Sequence, residues 1–343
     1  MQYRTLGRSG CSVSALALGA MTFGRETIEE DSHAMLDRYV EAGGNLVDTA
    51  DVYSGGVSEE IVGRWFASRP AEIREHVVLA TKARFPMGNS PNQLGLSRRH
   101  LATALDDSLR RLGVERVDLY QVHAHDPLTP IDETLRFLDD AVHAGKINYV
   151  GLSNFTGWQL QQAVDLATFR GLSCPVTLQP QYSLLSREIE WEIIPAAQAN
   201  GLGLLPWSPL GGGWLTGKYS RSVQPAGETR LARNREGMNT YEWRARQERT
   251  WDVVETVQAI ADEVGASPAA VALAWVVDRP AVTSVILGAR TLAQLDDNLA
   301  SVGVELSPEQ IERLDKASDP APATYPYGEP GNTQRSRKIQ GGR

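Results

Sequence analysis

Val117-Asp118-Leu119-Tyr120-Gln121-Val122-His123 comes first, then Thr129-Pro130 with apolar residues at Ile131, Leu135, Leu138 and Val142, then Gly145 and Ile147-Asn148-Tyr149-Val150-Gly151-Leu152-Ser153-Asn154. Residues 117–154 thus spell a strand, a helix and a second strand. The central segment repeats its apolar positions at helical spacing, opens on a proline and closes on a glycine. The outer segments are short and β-rich, and a helical crossover of this length joins parallel strands. Further runs of the same kind are Ala15–Leu18, Asn45–Asp48, Val77–Lys82, Thr177–Ser183, Leu202–Pro209 and Ser284–Gly288, which makes eight strands. Helix starts at Ser97, Ser267-Pro268 and Ser307-Pro308-Glu309-Gln310 lie between or after them, and Gly113 closes the helix that Ser97 opens. Eight alternating units predict an α/β fold, a closed (β/α)8 TIM barrel, in preference to an open sheet.

The remaining length fits one domain over residues 1–343. It divides into an N-terminal β-hairpin (1–15, turning near Gly7–Gly10), a long insert after strand seven (211–250) and a tail (319–343). Pro320, Pro322, Pro326 and Pro330 predict an extended tail. The charge balance of 34 basic against 42 acidic residues, net −8, carries no basic block and argues against nucleic acid as a partner. A hydrophobic fraction of 42% supports a sizeable core. Cys11 and Cys174 stand in no ligand-like spacing, which suits a reducing compartment. Ile193 to Gly217 holds no charge for 25 residues, but Pro195, Pro206, Pro209 and its glycines make it poor helix material, so no membrane partner is expected. The stretch Val13–Met21 behind Arg4 and Arg8 is a weak signal-peptide pattern, better read as the first barrel strand, and a cytoplasmic location follows.

Barrel chemistry gathers where strands end. Asp48, Lys82, His123, Asn154, Gln179, Ser208 and Arg290 all stand at such ends, where a packing role explains single cases but not the set. Four residues suggest proton chemistry: Tyr53, Lys82, Asp48 and His123. A free tyrosine, with a pKa near 10, is a weak acid at neutral pH. An adjacent ammonium favours its phenolate and is expected to bring it below that value, while a carboxylate keeps the buried lysine charged. A neutral imidazole can hold a carbonyl oxygen beside the acid. These parts suit protonation of a carbonyl as hydride arrives from the other side.

The sequence resembles the aldo-keto reductase family. The resemblance rests on Asn45-Leu46-Val47-Asp48-Thr49-Ala50 with Tyr53, Ala80-Thr81-Lys82, Leu119-Tyr120-Gln121-Val122-His123 and Gly151-Leu152-Ser153-Asn154-Phe155. Gln179-Pro180-Gln181-Tyr182, Trp207-Ser208-Pro209-Leu210 and Gly288-Ala289-Arg290 complete it, over residues 3–317. It is most similar to bacterial members of the branch related to potassium-channel β subunits, because Trp207 stands where other branches carry tyrosine. The resemblance implies NADPH-dependent reduction of aldehydes or ketones. Tyr53 would be the acid, Lys82 and Asp48 its tuning pair and His123 the substrate orienter. Ser153, Asn154 and Gln179 would hold the nicotinamide carboxamide and Trp207 would stack on its ring. Ser208, Leu210, Gly212, Lys218 and Arg230 would line the pyrophosphate, and Gly288, Arg290, Gln294, Asp297 and Asn298 the adenosine end. An arginine at 290 suits a 2′-phosphate, with NADH as the alternative cofactor. No G-x-G-x-x-G follows a strand, so a Rossmann route is absent.

Two rivals stand beside this reading. His123-x-His125 is a metal pair in a barrel hydrolase, which would need further histidines at other strand ends. A cofactor-loaded regulatory or interaction subunit with vestigial activity is the other. The basic insert (Arg230, Arg233, Arg235, Arg244, Arg246, Arg249) reads either as a solvated loop or as a flap anchored by Trp243 and Trp251. Met21, Phe23, Phe85, Met87, His125 and Trp214 lie just past strand ends and are expected to wall an apolar substrate pocket, with core packing the alternative for each. The expected partners are a small-molecule carbonyl substrate and, beyond it, only further copies of the chain in a homo-oligomer; no metal is expected.

Overall fold

The computed structural model describes residues 1–222, 232, 241–322, 325–328 and 331. An antiparallel hairpin pairs β1 (Tyr3–Thr5) with β2 (Ser12–Ser14) in the register Tyr3↔Ser14. Eight parallel strands follow: β3 (Leu16–Gly19), β4 (Leu46–Asp48), β5 (Val78–Ala83), β6 (Val117–Val122), β7 (Ile147–Ser153), β8 (Thr177–Gln179), β9 (Gly203–Leu204) and β10 (Val285–Leu287). Neighbours in sequence are neighbours in space, and β10 returns to pair with β3. The ring closes between β9 and the approach to β10. There the Leu204 amide donates to the Ala281 carbonyl (2.8 Å), and the amides of Thr283 and Ile286 donate to the carbonyls of Leu204 and Pro206 (both 2.9 Å). The fold is a (β/α)8 TIM barrel.

Most strand bounds fall within a residue of the sequence reading, but two strands are shorter. The run Thr177–Ser183 pairs only through Gln179, and Leu202–Pro209 only at Gly203–Leu204, with an isolated Gln181↔Trp207 bridge beyond. Pro180 and Pro206 have no N–H to offer a ladder, and Ser208 sits at φ 54°. The uncharged stretch 193–217 is not one helix but a helix (Ile193–Asn200), β9 and a tight turn (Gly211–Thr216). Among the described residues no single helix is long and apolar enough to cross a membrane.

Inside the ring, Ala17, Leu46, Ala80, Leu119, Leu205 and Ile286 form one apolar cluster with Leu6 and Val13 of the hairpin. The hairpin therefore plugs the end at which strands begin. Gly7, at φ 56°, makes that closure feasible: a Cβ there would lie 1.9 Å from the Val176 carbonyl oxygen. Only the opposite end, where strands finish, is left for chemistry. Helices cover the outside, and their ends follow the local signals. Ser97 and Ser267 accept hydrogen bonds from the amides of His100 and Ala270, Ser307 forms a capping box with Gln310, and Gly113 takes the left-handed cap.

The insert and tail depart from expectation in part. Trp251 is buried and packs edge-on to Trp214 at 5.4 Å, whereas Trp243 is 56% exposed and anchors nothing in the core. Arg244 is buried, and donates to the Leu185 carbonyl and the Ser186 hydroxyl (both 2.9 Å), so it ties the insert to the barrel. Arg230, Arg233 and Arg235 lie outside the described residues. Of the tail, Tyr325–Tyr327 forms a turn, and Tyr327 stacks on Trp191 at 5.4 Å.

Candidate active site

Register places the first group of residues. The Thr49 and Asp51 amides donate to the carbonyls of Ala80 and Lys82, which carries the end of β4 across to β5 (2.9 and 3.0 Å). The chain then turns through Tyr53–Gly56, where Ser54 sits at φ 51° and its hydroxyl donates to the Phe23 carbonyl (2.7 Å). That turn brings Tyr53 over the end of β5. Lys82 Nζ, fully buried, donates to Asp48 Oδ2 (2.6 Å), the Thr49 carbonyl (2.9 Å) and Tyr53 Oη (3.1 Å). Asp48 Oδ1 accepts from Gln121 Nε2 (2.9 Å) and Gln179 Nε2 (3.0 Å), so one carboxylate is held from β5, β6 and β8 at once. The His123 ring stands edge-on to Tyr53 at 5.8 Å and to Phe85 at 4.7 Å. The four residues expected to form the proton site are therefore neighbours.

Their charge states follow from surroundings. Burial opposes the Lys82 charge, but Asp48 and Tyr53 outweigh it, and the ammonium persists above the ordinary lysine range. Burial pushes Tyr53 up; Lys82 pulls it down, and Asp48 and Asp51 push it up again. The net direction is upward, which reverses the sequence expectation, because desolvating a phenolate costs more here than the ammonium returns. His123 is driven down to about 2, by burial first and then by Lys82 and Arg84, so its ring is neutral throughout the physiological range.

The second group runs along the ends of β7 to β10. Ser153 is buried and donates to the Gln179 carbonyl (2.9 Å); Asn154, at φ 55°, donates to the His123 carbonyl (2.9 Å). Trp207 Nε1 donates to Asn154 Oδ1 (3.0 Å), which fixes the indole beside the end of β7. Beyond it, Ser208 Oγ accepts from the Gly212 amide (3.1 Å) and Leu210 lies half-buried, while Lys218 is exposed. At the end of β10, the Arg290 amide donates to Gln294 Oε1 (3.0 Å) and Asn298 Nδ2 donates to the Gly288 carbonyl (3.3 Å). Asp297 is half-buried on the helix Leu292–Leu299, which also carries Gln294 and Asn298, and the Arg290 guanidinium lies 3.8 Å from Glu26. A flat indole, several amide and hydroxyl groups and a guanidinium follow consecutive strands, a donor set that fits a dinucleotide. Gly288 is exposed, with open space where a Cβ would project.

The expected pocket wall divides. Phe85, Met87, His125 and Met21 are half-buried or exposed around the strand ends, Met21 at 43%. Phe23 and Trp214 are 0% exposed and belong to the core, so neither lines an open wall. Trp214 instead stacks on Tyr241 at 5.3 Å. Trp158, 59% exposed and edge-on to His125 at 6.0 Å, extends the aromatic rim without a role expected from sequence, while Phe155, edge-on to His125 at 5.4 Å, backs it from the core. Gln121 was also unassigned; its signal is a polar residue between Leu119 and His123 on one face of an otherwise apolar strand. His123 and His125 pack on different aromatic neighbours, and among the described residues no three His, Cys, Asp or Glu side chains gather as a metal site.

The model of the Aldo/keto reductase family matches residues 15–319. The chain belongs to the aldo/keto reductase family. It is 39% identical to the "Uncharacterized oxidoreductase YrpG" of Bacillus subtilis, covering 92% of this chain and 95% of that protein. It is 37% identical to the "Probable voltage-gated potassium channel subunit beta" of Oryza sativa subsp. japonica, over 92% and 96% of the two chains. To the "Versiconal hemiacetal acetate reductase" of Aspergillus parasiticus it is 35% identical, over 92% and 96%. Membership carries an oxidoreductase function of the aldo/keto reductase type and use of a nicotinamide cofactor.

Proposed function

We propose that this family member reduces aldehydes or ketones to alcohols with NADPH, Tyr53 acting as general acid. The observation that carries the reading is the buried Lys82 ammonium, 3.1 Å from Tyr53 Oη and held at 2.6 Å by Asp48. When bound, the reduced nicotinamide supplies a hydride to the carbonyl carbon. The chain's own part is the proton. Tyr53 Oη gives its proton to the carbonyl oxygen, and Lys82 stabilises the phenolate left behind. A tyrosine held above its ordinary range keeps that proton until it is needed. Neutral His123, on the same wall, orients the substrate oxygen and does not compete as the acid.

Ser153, Asn154 and Trp207 would hold and stack the nicotinamide, while Gln179 has its Nε2 committed to Asp48 and Gln121. Ser208, Leu210, Gly212 and Lys218 would take the pyrophosphate, and Gly288, Gln294, Asp297 and Asn298 the adenosine. Arg290 is suited to a 2′-phosphate by its planar fork of donors. The rim of Phe85, His125 and Met21 favours apolar carbonyls over phosphorylated sugars. Relatives named as channel subunits favour a second reading, a cofactor-loaded binding module. Steady-state oxidation of NADPH with a panel of aliphatic and aryl aldehydes separates the two: turnover supports the reductase, and cofactor binding with no turnover of any aldehyde supports the module.

A further inference from the structure

Behind the Lys82–Tyr53 contact lies a second set of ionisable groups with no assigned role. Glu59, from the helix Val57–Ala67, is fully buried and accepts from Thr81 Oγ1 (2.5 Å) and from Arg111 Nε (2.7 Å) of the helix Arg98–Leu112. Asp51 is also 0% exposed, and among the described residues neither of its carboxyl oxygens has a well-formed hydrogen bond, although the adjoining Val52 amide faces it. The Tyr120 hydroxyl on β6, which feels the Asp51 charge, is likewise buried and has no hydrogen-bond partner among the described residues. Its backbone nonetheless fixes Asp51 firmly: its amide is bonded to the Lys82 carbonyl, and it stands two residues before Tyr53.

Charge counting isolates this residue. Among the described residues Asp48, Asp51 and Glu59 are three buried carboxyls of this cluster, and Lys82 and Arg111 are the two cations that meet them. Asp48 takes Lys82 and Glu59 takes Arg111, which leaves Asp51 in surplus. A buried charge without a partner is costly, so the surplus carboxyl favours its protonated form. We propose that Asp51 is a positioning residue for Tyr53: a buried carboxyl whose proton occupancy sets the field in which Lys82 and Tyr53 work, so that its ionisation slows proton donation by Tyr53. The inference rests on the reading of Tyr53 as the acid. The groups that face Asp51 are Glu59, Arg111, Lys82 and Tyr120, with Asp48 and Tyr53 on its own segment. Burial and the Glu59 charge together push Asp51 up to about 7, which places its ionisation within the working range. Its charge in turn makes Tyr53 harder to ionise.

The experiment compares wild type with Asp51→Asn, a neutral near-isostere of the protonated carboxyl. Wild-type reduction should fall about two- to fivefold through neutrality, a partial Brønsted response to a weaker acid, and Asp51→Asn should hold its rate across that range. In both proteins a separate alkaline limb belongs to Tyr53. An ultraviolet titration of the Tyr53 phenolate, obtained by difference from Tyr53→Phe, should move to lower pH in Asp51→Asn. A neutral limb that persists in the variant, or an unmoved phenolate, overturns the proposal. Carboxyl carbon resonances of wild type labelled at aspartate need no variant: one carboxyl should titrate near neutrality, and titration of all of them in the ordinary carboxylate range overturns the proposal. The stability slope has a definite sign. A carboxyl raised in the folded state stabilises fully below its unfolded pKa, and that contribution is lost as pH rises to about 7. Asp51→Asn should lack this decline. If wild type reduces no carbonyl at all, the reductase reading fails, while the resonance and phenolate titrations still decide the role of Asp51.

Discussion

The ends of β4 to β6 and the ends of β7 to β10 solve different problems. On the first side Asp48, Lys82 and Gln121 are buried and bonded to one another before any ligand enters. On the second, Trp207, Ser208, Leu210 and Arg290 are half-buried, and Asn154, Lys218 and Gly288 are exposed. Proton chemistry needs groups whose positions and charges do not relax when a reaction charge appears, and a dry, bonded cluster gives that preorganisation. Grip on a long cofactor needs many surfaces that remain accessible. The two sides should therefore respond differently to substitution: the first through rate and stability together, the second through affinity alone.

The largest effect expected is on rate. Tyr53→Phe should lower carbonyl reduction by about 10²- to 10⁴-fold, as loss of a general acid does. NADPH affinity, titrated by quenching of tryptophan fluorescence, should hardly change. A variant that kept half the wild-type turnover would remove Tyr53 from the role. Lys82→Met should be similarly severe. Across pH, beyond the smaller fall near neutrality assigned to Asp51, reduction should be lost as the Tyr53 phenol ionises, above the ordinary value of about 10, while alcohol oxidation rises over the same interval. His123→Gln should retain that alkaline limb. If the limb vanished in His123→Gln and survived in an active Tyr53→Phe, histidine would be the acid.

Asp48→Ala tests the coupling of site to fold. It strands a fully buried ammonium, and breaking such a pair costs about 3–5 kcal/mol. Urea unfolding reads this directly, and a loss below about 1 kcal/mol would mean the cluster is not preorganised by the pair. Arg290→Ala, on the other side, should leave the unfolding midpoint nearly unchanged. It should weaken NADPH by about 1.5–3 kcal/mol, the value of a hydrogen bond to a charged group, and NADH far less. Equal losses for the two cofactors would assign Arg290 to adenine or to the fold. The smallest effect is at Glu26, 3.8 Å from Arg290. Glu26→Gln removes a partly exposed competitor for the guanidinium and should tighten NADPH about two- to threefold, within the range of such pairs. Weaker binding would make Glu26 a support for Arg290 instead.

Local pattern explains which residues could be read in advance. Asp48, Lys82 and His123 each end an apolar run, and Tyr53 follows Asp48 by a fixed five residues, so their placement at one barrel end needs only the strand–helix alternation. Phe23 and Trp214 satisfy the same description as Phe85 and His125, yet they turn into the core, because an apolar side chain just past a strand end is drawn to whichever surface neighbouring elements leave uncovered. The helix Val57–Ala67 lies against Gly24, and Tyr219 and Tyr241 of the insert, with Trp251 of the helix Glu248–Val264 that follows it, surround Trp214.

The sequence by itself determined the eightfold alternation, the helix caps, the N-terminal hairpin and the identity of the polar residues at the strand ends. Those follow from side-chain periodicity and backbone preference within a few residues. The tertiary structure alone decided that Gln179 reaches Asp48 across 131 residues, that Asp51 bonds to no cation among the described residues, and that Tyr53 is driven above its ordinary range. Each of those depends on desolvation and on which charges meet across different strands, and both quantities exist only once the barrel has closed.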